Sequence, residues 1–207
     1  MPKPELIFVA GCNAAGKSSF IRTRLNELGG FSVLMTDVYK SRTKELATAA
    51  IASGNSVIIE TVFNDLSFRE LADQARSAGY LSSLIVLFLD NVGQSKTRSS
   101  LRIMQQQGLG LTSGNVQINF NESFKNISNS FFYFDYTNFF YTGEGMLNTS
   151  VMSFHQADLL SYTASTLNYP QRFADYTFQQ GFLDREAYDI IKANQDYPGT
   201  KVEPNLY

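Results

Sequence analysis

The chain of 207 residues has little on which extracellular or metal-centred chemistry could rest. It has one cysteine, Cys12, so no disulfide can close within it, in keeping with a reducing compartment. It has one histidine, His155, and no cluster of His and Cys at ligand spacing, which argues against a zinc centre. No carboxylate or nucleophile pattern stands beside His155, so it reads as a packing or surface residue. An excess of either charge is also missing. Lys and Arg number 17 against 19 Asp and Glu, and the basic residues do not cluster, so no broad nucleic-acid surface is expected. Long apolar runs are absent too. The longest, Leu84 to Leu89, falls far short of the ~20 residues of a membrane-spanning helix. Leu6 to Ala10 is too short for the apolar core of a signal peptide and is followed at once by glycine. The expectation is a soluble cytoplasmic protein with neither a membrane nor a nucleic acid as partner.

What is present is enough apolar residue, 43%, for one well-buried domain. The first half alternates strand and helix signals. Leu6 to Ala10 reads as a buried strand, and a helix from Lys17 carries Ile21, Leu25 and Leu28 on one face. Phe31 to Met35 reads as a second strand, Thr43 to Ala52 as a helix, and Val57 to Ile59 as a third strand. Ser67 to Glu70 has the pattern of a capping box. Leu81 to Leu89 is a fourth strand, followed by a helix over Val92 to Gln107. Apolar strands alternating with helices predict a mostly parallel sheet with helices on both faces, a three-layer α/β fold, which the phosphate-binding loop described next makes one of the phosphate-loop NTPase type. Right-handed crossovers put every strand's carboxyl end on one edge, where ligands bind. Later, Phe131 to Tyr141 is dense in aromatics and Leu147 to Phe154 reads as a strand. From His155 onward helices and a polar tail are expected, with a helix over Tyr188 to Ala193 ended by Tyr197-Pro198-Gly199. The organisation expected is a core over residues 1–154 and a mainly helical extension over 155–207.

The run Gly11-Cys12-Asn13-Ala14-Ala15-Gly16-Lys17-Ser18, with Ser19 after it, is a phosphate-binding loop between a strand and a helix. Gly11 and Gly16 let the backbone curl so that amides converge on phosphate oxygens, and the helix start adds its positive dipole end. Lys17 is expected to reach the β- and γ-phosphates of ATP, and Ser18 to place its hydroxyl on Mg2+. Cys12, inside the loop, reads as a small filler residue. The chain has no Asn-Lys-x-Asp guanine signature and no Leu-Ser-Gly-Gly-Gln run.

The sheet argument places Asp37, Glu60 and Asp90, each at the end of a strand, on the same edge as this loop. A kinase needs an acid there to take the proton of the attacking hydroxyl, and another can hold the metal. Asp37 is the candidate base. Asp90 has the position of a metal-holding acid, although an acid at a strand end also caps helices. Arg98 and Arg102 share a helix face and are candidates to meet the transferring phosphate, against the alternative of a solvated basic face.

These residues resemble the zeta toxin family, small kinases related to bacterial toxin–antitoxin systems, over roughly residues 5 to 151. The loop GCNAAGKSSF, the step Thr36-Asp37, the step Ile59-Glu60-Thr61, Gly79-Tyr80, and the pair Arg98 and Arg102 are similar to the family's motifs. Asn119 to Ile127 follows the rhythm of its Arg-Tyr-x-Arg-Ser-x-x-Asn-Leu segment. The resemblance implies ATP-dependent phosphorylation of a sugar hydroxyl on a UDP-N-acetyl sugar. It implies Asp37 as the base, Glu60 and Thr61 against the substrate, Arg98 and Arg102 around the phosphates, and an antitoxin protein as a partner. The chain departs from the family at Asn119 and Glu122, where arginines are usual. It departs also at Gly108-Leu109-Gly110 in place of a Gly-His step, at Ala14 for a glycine, and at Cys12 for a proline. Two alternatives therefore stand beside the zeta reading. One is a phosphate-loop kinase for another metabolite. The other is a nucleotide-binding protein without catalysis.

Overall fold

In a computed structural model of the chain, the structure describes residues 3–24, 29–105, 112–143 and 148–198. Strand β1 (Glu5–Ala10) lies inside a seven-stranded sheet because both of its faces are apolar. Leu6, Phe8 and Ala10 enter one hydrophobic core, and Ile7 and Val9 the other. An alternating strand would bury only one face, whereas a continuous apolar run suits a parallel strand covered on both sides. The remaining strands are β2 (Ser32–Met35), β3 (Val57–Thr61), β4 (Leu81–Phe88), β5 (Tyr136–Tyr141), β6 (Thr149–His155) and β7 (Asp158–Tyr162). Their order is β2-β3-β1-β4-β5-β6-β7. The first five run parallel, and β6 and β7 are added antiparallel at the far side.

The helices are α1 (Lys17–Thr23), α2 (Thr36–Tyr39), α3 (Thr43–Ala52), α4 (Arg69–Ser77), α5 (Val92–Met104), α6 (Ser113–Ser128), α7 (Asn168–Gln179) and α8 (Arg185–Ala193). One core packs the sheet under Ala47 and Ile51 of α3, Leu71 and Ala75 of α4, Phe173 of α7 and Ile191 of α8. The other packs Ile7, Val9, Ile58 and Leu87 under Phe20 and Ile21 of α1 and Phe120 of α6. The result is the expected three-layer fold.

Aromatic side chains carry much of the first core. Phe8 meets Phe63, Phe68 and Phe134 at ring distances of 5.9, 5.8 and 5.5 Å. Phe131, Phe139, Phe154 and Phe173 form a second group that ties β5 and β6 to α7. Each is fully buried, and burial of one such ring is worth about 1.5–3 kcal/mol. The aromatic-dense segment is therefore core, with β5 as its strand.

Two expectations are corrected. The boundary at residue 154 falls inside β6, and the sheet continues past it into β7, so residues after His155 begin with a strand rather than a helix. That strand escapes a reading by pattern because it is an edge strand whose side chains are mostly half exposed. The cap near Ser67 is not Ser67 itself; Asp65 accepts from the Ser67 amide at 2.9 Å and opens a short 3-10 turn before α4. Helix α5 is described to Met104, and its expected end at Gln107 lies outside the described residues. Leu25, Leu28, Gly108-Leu109-Gly110, Leu147 and Gly199 lie outside the described residues. Among the described residues, no helix is long and apolar enough to cross a membrane.

Candidate active site

The phosphate loop leaves β1 and enters α1. Gly11 must be glycine: a Cβ there would stand 2.0 Å from the carbonyl oxygen of Leu87. Gly16 is needed for its backbone instead, with φ at 90° and open space around it. The loop's carbonyls are each taken by a donor. Lys17 Nζ holds Gly11 O at 3.0 Å and Cys12 O at 3.1 Å. Ser95 Oγ holds Asn13 O at 2.7 Å, Arg98 Nη1 reaches Ala14 O at 3.5 Å, and Thr142 Oγ1 holds Ala15 O at 2.9 Å. The Phe20 amide takes Gly16 O at 2.9 Å as α1 begins. Fixing the carbonyls in this way leaves the amides between them for an anion.

Lys17 is almost fully buried. Burial pushes its pKa down, and Arg102 adds to this; Glu60, Cys12 and Asp37 oppose it. Asp37, Glu60 and Arg102 thus share the electrostatic environment of the loop lysine. Burial pushes the Cys12 thiol up, which suits a filler residue and not a reactive one.

Ser18 Oγ donates to Glu60 Oε1 at 2.9 Å. Glu60 Oε2 is buried and has no partner among the described residues. A hydroxyl and a carboxylate with one oxygen to spare, beside a phosphate loop, form an oxygen donor set that fits Mg2+, which takes few protein ligands and keeps waters. Glu60 thus turns to the loop through Oε1.

Asp90 has a different task. Its Oδ1 accepts from the Tyr169 amide at 2.7 Å and its Oδ2 from Asn168 Nδ2 at 2.9 Å, so it caps α7. Each oxygen thus carries a structural hydrogen bond, and the α7 cap accounts for the placing of Asp90. The helix that follows β4 takes its cap from Asn91 instead, which accepts from Gln94 N.

Beside the loop lies a groove of about 510 Å³. Asp37, exposed at the start of α2, lines it with Thr61, Lys40, Asn13, Asn64 and Asn119. Its three asparagines are linked: Asn119 Nδ2 donates to Asn13 Oδ1 at 2.8 Å, and Asn119 Oδ1 accepts from Asn64 Nδ2 at 3.4 Å. Asn119, standing where arginine is usual in the resembled family, therefore joins the loop to the groove with neutral amides. Glu122 lies one turn further along α6 and is exposed. Asp37, Glu60, Thr61 and Asp90 all stand at the carboxyl edge of the parallel strands, on the side of Lys17.

Three clamps were missed in the sequence. Ser95 lies one turn before Arg98, so its place on the loop-facing side of α5 could have been inferred. Thr142, just past β5, gives no local signal. Asn126, inside the segment Asn119 to Ile127, donates from Nδ2 to Phe63 O at 3.2 Å and secures the turn after β3, where Phe63 has φ of 59°.

Neither protein-family models nor curated proteins match the chain. Solved structures do. The PezAT chromosomal toxin-antitoxin system of Streptococcus pneumoniae aligns with a TM-score of 0.53 at 14% identity, over 70% of this chain and 71% of that one. The AvrRxo1-ORF1:-ORF2 complex with ATP aligns with a TM-score of 0.60 at 13% identity, over 93% of this chain and 75% of that one. The Pnkp1/Rnl/Hen1 RNA repair complex aligns with a TM-score of 0.52 at 18% identity, over 62% of this chain and 47% of that one. At such identities the likeness shows the shared fold.

Proposed function

We propose that this chain is an ATP-dependent phosphotransferase of the zeta toxin type, acting on a sugar hydroxyl of a UDP-N-acetyl sugar. The observation that carries the reading is a clamped phosphate loop opening directly onto a groove with Asp37 on its wall. The loop amides from Gly11 to Ser19 and Lys17 bind the phosphates of ATP. Lys17 leaves the carbonyls of Gly11 and Cys12 to do so. Ser18 and Glu60 hold Mg2+, which when bound neutralises phosphate charge. Asp37 orients the acceptor hydroxyl and takes its proton as the phosphoryl group transfers. Arg98 and Arg102 meet the charge on that group. Thr61, in the groove, contacts the acceptor. The work is done in the cytoplasm, where the donor is present.

The structural neighbours include one described as a toxin-antitoxin system and one as a complex of two open-reading-frame products. By analogy, an antitoxin protein is the partner proposed here. The second reading, a nucleotide-binding protein without catalysis, draws on Asn119, which puts an amide where an arginine would supply positive charge.

Incubation with ATP and Mg2+, with and without UDP-N-acetylglucosamine, followed by mass spectrometry of the sugar, separates the two. A phosphorylated sugar is expected. ATP binding by calorimetry with no product on any UDP-sugar would move the conclusion to the second reading. Asp37→Asn should abolish transfer and spare ATP binding, because asparagine keeps the shape but cannot take the proton.

A further inference from the structure

Four charged side chains line the groove: Asp37, Lys40, Lys44 and Asp65. Two of them are spent on each other. Lys44 pairs with Asp65 at 3.8 Å and donates to Ser67 Oγ. That leaves Asp37, the proposed base, and Lys40. Among the described residues, the Lys40 amine has neither a hydrogen bond nor an ion pair within 4.0 Å; only its backbone is engaged, the carbonyl accepting from Thr43 Oγ1 at 2.9 Å.

The backbone of Lys40 is unusual. It closes α2 with φ at 50° and ψ at −125°, outside the left-handed well that other residues visit. Glycine would hold this turn without strain. The other non-glycine residues at positive φ have local reasons. Phe63 fills the core, Asn194 ends α8, and Gln156 turns the β6–β7 hairpin. Ala14 lies in the phosphate loop itself. Lys40 is exposed and its amine is unpaired among the described residues, yet a long cationic side chain stands where strain disfavours any side chain. Strain without a structural return is characteristic of ligand-binding positions.

We propose that Lys40 is the anion-binding residue of the groove, taking a phosphate group of the acceptor while the acceptor's hydroxyl lies at Asp37. This rests on the reading of the groove as the acceptor site. The asparagine chain along the same groove is neutral, so the anionic part of the acceptor is drawn to Lys40 and the uncharged part to the amides. The spacing agrees with division of labour: Lys40 is one turn from Asp37 in sequence, yet the two do not pair, so neither neutralises the other.

The test uses the full chain with its phosphate loop filled by a non-hydrolysable ATP analogue and excess Mg2+. Inorganic pyrophosphate and UDP-N-acetylglucosamine are then titrated by calorimetry into wild type, Lys40→Gly, Lys40→Gln and Lys40→Arg. Pyrophosphate is expected to bind wild type, to weaken about tenfold in the Gly and Gln variants, and to recover in the Arg variant. Lys40→Gly is expected to melt about 2 °C or more above wild type, since strain is released while the ligand contact is lost. If pyrophosphate shows this dependence and the UDP-sugar does not bind, the anion role stands and the UDP-sugar reading falls. If pyrophosphate does not bind, or binds all four proteins alike, the role of Lys40 is overturned.

Discussion

Ala14 occupies a backbone position that glycine would fill without strain, with φ at 60°. A side chain in this region costs about 1–2 kcal/mol, so Ala14→Gly should raise the melting temperature of the empty protein by roughly 2–4 °C in a scanning experiment. A lower melting temperature would mean that unfolded-state entropy outweighs the strain. Lys17 carries a pH signature. Its folded pKa lies below its ordinary value of 10.5, mainly through burial. Between the lowered value and 10.5 the unfolded chain holds the proton more often than the folded one. Stability contributed by this group therefore rises with pH across that window and falls as pH drops back through it. Denaturation of wild type and Lys17→Met at a series of alkaline pH values isolates the slope, which saturating ATP and Mg2+ should flatten by giving the ammonium its anionic partner. Arg98 and Arg102 are expected to differ. Arg98 reaches a loop carbonyl, so Arg98→Ala should weaken ATP binding as well as turnover. Arg102→Ala should lower turnover alone, and equal effects of the two on ATP affinity would remove the distinction.

At the level of elements, the legible parts were those whose signal is local. β1 announces itself by five consecutive apolar residues and a glycine, and α3 matches its expected span residue for residue. β7 was not legible. Asp158-Leu159-Leu160-Ser161-Tyr162 sits at the sheet's edge, and the turn before it carries Gln156 at φ of 53° rather than a glycine or asparagine. Asp90 was legible as an acid at a strand end but not in its purpose, because its partners lie 78 and 79 residues further on. Nothing near Asp90 in sequence distinguishes a helix cap from a metal ligand. The contacts show the cap, and they predict that Asp90→Ala destabilises the fold by about 1–2 kcal/mol through its loss. Its Mg2+ requirement should stay that of wild type, whereas Glu60→Gln should raise it. A Mg2+ titration of activity or of nucleotide binding compares them, and an Asp90 variant that needs more metal would restore its expected role.

Across the whole molecule, the sheet runs on through the boundary expected at residue 154. A chain cut after residue 154 would lose the last residue of β6, all of β7, and Phe173, which meets Phe131, Phe139 and Phe154 at 5.0, 4.9 and 5.7 Å. Such a fragment is expected to be insoluble or to lack a cooperative melt, and a folded fragment that binds ATP would reinstate the boundary. The α7 cap carries the same dependence into the order in which the protein is made. The phosphate loop leaves the ribosome well before α7, and chains fold in that direction as they emerge. The strand end beside it nevertheless waits for Asn168 and Tyr169 before Asp90 can settle. A nascent chain can therefore display the nucleotide motif long before it possesses a finished nucleotide site, and the arrival of α7 decides when the molecule becomes competent.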